Sequence, residues 1–131
     1  MNAESRGRFP KSARVRKRRE YLQIQATGRR VSLPHFVFIV AARAPSEEPG
    51  PRLGITASRK VGGSVVRSRI RRLVREAFRA LRENLPKDLD LVVIVKRAPA
   101  NFTLGDVIAE WRSAERQLGK RLAEARAGRE C

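Results

Sequence analysis

Residues 58–82 read SRKVGGSVVRSRIRRLVREAFRALR, and the winding of this stretch decides the fold around it. At 100° per residue, Val66, Ile70, Leu73, Val74, Ala77 and Leu81 fall within one arc, the width of a core-facing helix. Arg67, Arg69, Arg71, Arg72, Arg75, Arg79 and Arg82 fall outside it. The spacing predicts an amphipathic helix with its apolar side buried and its guanidinium groups outward. Ser64 is placed to cap its start, and Gly62 and Gly63 let the backbone turn tightly and approach a phosphate beside the first-turn amides. Pro86 stops it near Asn84 or Leu85. Alternating charges would make an ordinary solvated face, but these arginines meet only Glu76 and Glu83 and repel one another until something neutralises them. A polyanion does that, and arginine adds two-point phosphate pairing and stacking on bases.

The bulk composition points the same way. The 131 residues carry 30 Lys and Arg against 13 Asp and Glu, a formal net charge of +17, which favours nucleic acid as partner. The length suits one domain with a two-layer core. No apolar run approaches the roughly 18 residues of a membrane span, and MNAESRGRFPK lacks an apolar signal core, so a cytoplasmic protein without membrane contact is expected. Cys131, the single cysteine, is the last residue, which excludes an internal disulfide or a cysteine-based zinc site. His35 is the only histidine and starts an apolar run, where a structural or surface role is expected. With no Ser/His/Asp or Cys/His set, Walker-type loop or GxGxxG, no catalytic residue and no protein-bound metal or cofactor is expected.

In chain order, residues 1–11 form a basic tail, 12–118 one α/β domain and 119–131 a charged extension expected to fray. Ser12 can cap a helix running to Thr27 and stopped by Gly28, with Val15, Leu22 and Ala26 inward and Arg14, Lys17, Arg18 and Arg29 around them. Tyr21, the only tyrosine, is either a core anchor or a stacking platform among arginines. A short strand at 30–33 leads to an apolar strand at 35–43, then a Pro/Gly/acidic loop, then a strand at 52–58. Phe36 and Phe38 share one face of the long strand, and Phe38 is a candidate for a cleft floor. Residues 89–97 make a buried central strand, so the arginine helix is a crossover between parallel strands. Thr103 caps a last helix with Leu104, Val107, Ile108, Trp111 and Leu118 inward, Trp111 as core anchor. The result is a small mixed sheet of about four strands in the order α-β-β-β-α-β-α.

The stretch SRKVGGSVVRSRIRRLVRE resembles the signature of the protein subunit of bacterial ribonuclease P, and the element order matches over about residues 12–118. In that family a Lys-x-Gly stretch precedes an Arg-Asn-Arg triplet and further basic positions ending in Arg-Glu. Those roles fall here on Lys60 and Gly62, on Arg67, Ser68 and Arg69, on Arg71, Arg72 and Arg75, and on Glu76. Ser68 replaces the usual Asn and has one polar side-chain atom instead of two. The resemblance implies a two-layer α/β sandwich with a left-handed β-α-β crossover, against the general right-handed rule. It also implies a holoenzyme that removes the 5′ leader of precursor transfer RNA, with the catalytic centre and its Mg2+ in a large RNA subunit. The signature residues would bind that RNA. Tyr21, with Arg14, Lys17 and Phe38, would form the cleft for the single-stranded leader. Gln25 stands where the family often has a second aromatic. The implied partners are ribonuclease P RNA and precursor transfer RNA, with no further protein required.

Three rivals fit less well. A ribosomal or RNA-chaperone protein would use the same basic face without leader preference. A DNA regulator's recognition helix would mix Asn, Gln, Ser and Arg for base edges, unlike this nearly all-arginine face. A protein-only nuclease needs clustered carboxylates, and Asp88 and Asp90 beside Pro86 read as the end of a loop.

Overall fold

The computed structural model describes residues 13–15, 17–44 and 50–130. Helix α1 (Arg18–Thr27) precedes strands β1 (Arg29–Ser32), β2 (Phe36–Ala42) and β3 (Arg52–Thr56), the arginine helix α2 (Ser64–Leu81), and a short 3-10 turn (Arg82–Asn84). Strand β4 (Leu89–Val95) and helices α3 (Leu104–Ser113) and α4 (Glu115–Glu130) complete the chain. The sheet order is β1-β2-β4-β3. Strand β4 is antiparallel to β2 and parallel to β3, with Arg52 opposite Asp90 and Gly54 opposite Val92. The expected parallel pair with α2 as crossover is present, and β4 is central and almost wholly buried.

Strand alternation sorts the core into two sides. Phe36, Phe38 and Val40 of β2, with Leu91 and Val93 of β4, pack under α2, α3 and α4. Ile39 and Ala41 of β2, with Val92 of β4, pack under α1 through Ile24, together with Val15. The main sandwich is therefore sheet against three helices, and α1 covers the opposite face together with the segment around Val15.

Several local expectations change. Residue 12 lies outside the described residues, and Arg14 and Val15 are not helical: Arg14 bridges Leu53 in parallel and the Val15 N–H donates to the Leu53 carbonyl at 3.0 Å. Val15 is buried as expected, but from this extended segment. The helix phase set by it therefore fails, so Leu22 is 52% exposed and Ile24 is the buried residue of α1. In α2 the buried side is Ile70, Val74, Ala77, Phe78 and Leu81, and Val66 is exposed. Gly63, in extended conformation, occupies the cap position, where Ser64 was expected. Thr103 does cap α3, in a reciprocal box with Asp106.

The largest departure is the C-terminal extension. Ala114 breaks the expected last helix in two, and 115–130 continue as α4 across β1 and β2. Leu122 and Ala125 are buried, and Arg126 makes a two-point ion pair with Asp88, each bond 2.7 Å. Apolar positions at Leu118, Leu122 and Ala125 follow helical spacing, but they are sparse, and Gly119 reads as a stop signal.

Candidate nucleic-acid interface

The first basic face is built by the turn before α2 and by α2 itself. The Val61 and Gly62 N–H groups donate to the Ser58 and Arg59 carbonyls at 3.1 and 3.2 Å, which leaves Lys60 at the exposed tip. Gly62 has φ +156, where a side chain is strained, and an added Cβ would lie 2.9 Å from Val66 Cβ. Lys60, Ser68, Arg69, Arg72 and Arg75 are exposed, and Arg67 and Arg71 half-buried. Arg72 meets Glu76 at 3.3 Å with 78% of its side chain exposed, so that pair contributes little stability. Arg69 has a second role: its Nη1 donates to the Pro99 carbonyl at 3.4 Å and its Nη2 to the Phe102 carbonyl, tying α2 to the loop before α3.

The arginines crowd where α2 meets the start of the described chain. Burial, then the neighbouring guanidiniums of Arg14 and Arg71, push the Arg75 guanidinium below its ordinary pKa. Such crowding is what an anion relieves.

The second feature is an open groove between α1 and α2 at the β3 side of the sheet, lined by Arg18, Tyr21, Leu22 and Gln25 of α1, Ile55, Thr56 and Ala57, and Arg71 of α2. Its volume is about 570 Å3, within the roughly 300–1,000 Å3 of small-ligand sites. It joins a half-buried aromatic ring to two guanidiniums, the combination that grips single-stranded nucleic acid. Of the four residues expected in a leader cleft, only Tyr21 lines it. Arg14 and Lys17 lie exposed along the same side of the chain, Arg14 on the β3 edge and Lys17 as the N-cap of α1. Phe38 does not join them. It is 1% exposed on the opposite sheet face, and its ring meets Trp111 edge-on at 5.0 Å. Arg18 and Gln25 were legible as Tyr21's neighbours three and four residues away on a helix, whereas Thr56 and Arg71 come together with them only through the fold.

The remaining polar groups have structural work. Asp90, 5% exposed, accepts from Arg52 Nε and Nη2, both at 2.8 Å, and from Arg43 Nη1 at 3.0 Å. The Asp90 carboxylate, joined by Glu20, holds the Arg52 guanidinium above its ordinary pKa despite burial. His35 Nδ1 lies 2.6 Å from Glu110 Oε1, and its backbone N–H donates to Oε2 at 2.9 Å. Among the described residues there is no group of three or more His, Cys, Asp or Glu that could hold a metal ion, and no helix long and apolar enough to cross a membrane.

Comparison with known proteins adds a family. A family model for ribonuclease P matches residues 9–119. The chain is 40% identical over 100 residues to the ribonuclease P protein component of Syntrophus aciditrophicus, covering 76% of this chain and 82% of that one. Its fold is similar to a mutant RNase P protein of Staphylococcus aureus (TM-score 0.71, 25% identity, 88% of this chain and 96% of that one). It is also similar to the RNase P protein of Thermotoga maritima (TM-score 0.64, 28% identity, 76% and 92%).

Proposed function

The chain belongs to the ribonuclease P protein family, as a subunit of an endoribonuclease holoenzyme that works with ribonuclease P RNA, and on that premise we propose that its two basic features divide the work. Lys60, Arg67, Arg69, Arg71, Arg72 and Arg75, with Gly62 and Ser68 shaping the surface between them, neutralise phosphates of the RNA subunit. The groove at Tyr21 takes the single-stranded 5′ leader of precursor transfer RNA, with Arg18 and Arg71 on its phosphates and the phenol ring under a base. The catalytic centre and its Mg2+ belong to the RNA subunit. Asp88 and Asp90 are engaged by guanidiniums.

The observation that carries this reading is the continuity of the two features. Arg71 belongs to the arginine helix and also lines the groove, so a strand leaving the RNA face runs onto the aromatic ring. The test is affinity of the reconstituted holoenzyme for precursor and mature transfer RNA. Tyr21→Ala is expected to weaken precursor binding by about 5- to 150-fold, the worth of one stacked base at roughly 1–3 kcal/mol, and to spare mature transfer RNA. Arg67→Ala is expected to weaken assembly with the RNA subunit. Equal weakening of both substrates by Tyr21→Ala would overturn the leader assignment.

A further inference from the structure

Gly54 is a buried glycine in β3, a place where glycine costs about 0.5–1 kcal/mol relative to alanine and calls for a reason. Backbone conformation does not supply one, because the positive-φ glycines among the described residues are Gly50 and Gly62. Close approach does. A Cβ at Gly54 would lie 2.8 Å from Tyr21 Cε1 and 2.9 Å from Cζ and Oη, closer than real Cβ atoms come. The phenol end of Tyr21 thus rests on the bare backbone of β3, and the half-buried ring still lines the groove.

The same register locks the helix above. Arg52, two residues before Gly54 and on its side of the strand, donates through Nη1 to Glu20 Oε2 at 2.5 Å, and Glu20 directly precedes Tyr21. Arg52 is itself held by Asp90, which also accepts from Arg43. The frame fixes the helix beside the ring, and Gly54 leaves the space under it.

We propose that Gly54 is a positioning residue for leader recognition, acting through Tyr21, with the Glu20–Arg52–Asp90 frame holding the helix that carries the ring. The inference rests on the leader reading of the groove. A methyl group at residue 54 drives the ring toward the groove, into the space a stacked base would use, and leaves the arginine face on α2 untouched.

The experiment uses the full chain with the RNA subunit and compares Gly54→Ala, Tyr21→Ala and the double variant, each with precursor and mature transfer RNA. Gly54→Ala is expected to cut precursor-over-mature discrimination about tenfold, within the range for one stacked base, and to leave the salt dependence of RNA-subunit binding unchanged. In the Tyr21→Ala background it is expected to add nothing, the non-additivity of two residues acting as one unit. Full discrimination in Gly54→Ala where Tyr21→Ala loses it would overturn the seat and leave the leader reading standing. An additive loss in the double variant would also overturn it, because Gly54 would then act through the strand. Full discrimination in both single variants would overturn the leader reading and the seat with it. Should Gly54→Ala fail to fold, Glu20→Ala loosens the frame without adding an atom to β3. It is expected to reduce discrimination in the same direction, and no reduction would overturn the proposal.

Discussion

At the scale of single residues, the charges of this chain fall into two kinds that composition does not separate. Asp90 is buried between Arg43 and Arg52, and all three are fixed by geometry. Removing its charge leaves Arg43 with backbone carbonyls alone and Arg52 with Glu20 alone among the described partners, in a partly desolvated place. Asp90→Asn is expected to cost about 3–5 kcal/mol, read as a lower urea midpoint with unchanged slope. Arg67 and Arg69, equivalent in the sequence motif, differ in the fold because Arg69 donates to the carbonyls of the loop before α3. Arg69→Ala is therefore expected to lower both thermal stability and RNA affinity, and Arg67→Ala affinity alone. Thermal melts beside RNA titrations separate the two. The motif put both residues on the outer face of a helix, which holds for exposed Arg69 but not for half-buried Arg67, and the Pro99 and Phe102 carbonyls that Arg69 meets lie about thirty residues downstream, where no local pattern announces them.

Among elements, legibility followed the strength of the period. Helix α2 was readable because large apolar residues recur through five turns against an arginine background. Its buried arc is nonetheless turned roughly 40° toward Phe78, at 100° per residue, which accounts for exposed Val66 and half-buried Arg67. Helix α1 is out of phase with its sequence pattern because an extended segment that pairs with β3 mimics a first turn. Helix α4 reads from sequence as a fraying extension because its inward residues are few and one is alanine, yet it covers β1 and β2. Leu122→Ala is expected to cost about 2–5 kcal/mol, whereas Lys120→Ala, on the exposed side, stays within about 0.5 kcal/mol. Equal, negligible effects in denaturant melts would return α4 to a passive tail.

For the whole molecule, the parallel pairing of β3 and β4 was legible from a strand-helix-strand order, and the family from the motif. The groove was not, because Tyr21 and Arg71 come to one groove only when α1 docks on the sheet face opposite α2 and both reach the β3 side. Net charge of +17 gives salt two opposite effects: it screens self-repulsion in the free protein and competes with phosphate contacts. With roughly 6–10 such contacts, affinity for the RNA subunit is expected to fall by about 10³ to 10⁵ between 50 and 200 mM salt on the duplex-DNA scale, somewhat less for RNA. Over the same range the melting temperature of the free chain is expected to rise. A flat binding profile would contradict the counterion role.

The most direct test of that role is cleavage of a precursor transfer RNA by a bacterial ribonuclease P RNA at low magnesium, with no protein, with this chain, and with Arg67→Ala combined with Arg72→Ala. Restored cleavage with the unaltered chain but not with the double variant is the expected result. Failure of the unaltered chain to restore cleavage while it binds other structured RNAs tightly, or equal restoration by the double variant, would contradict it.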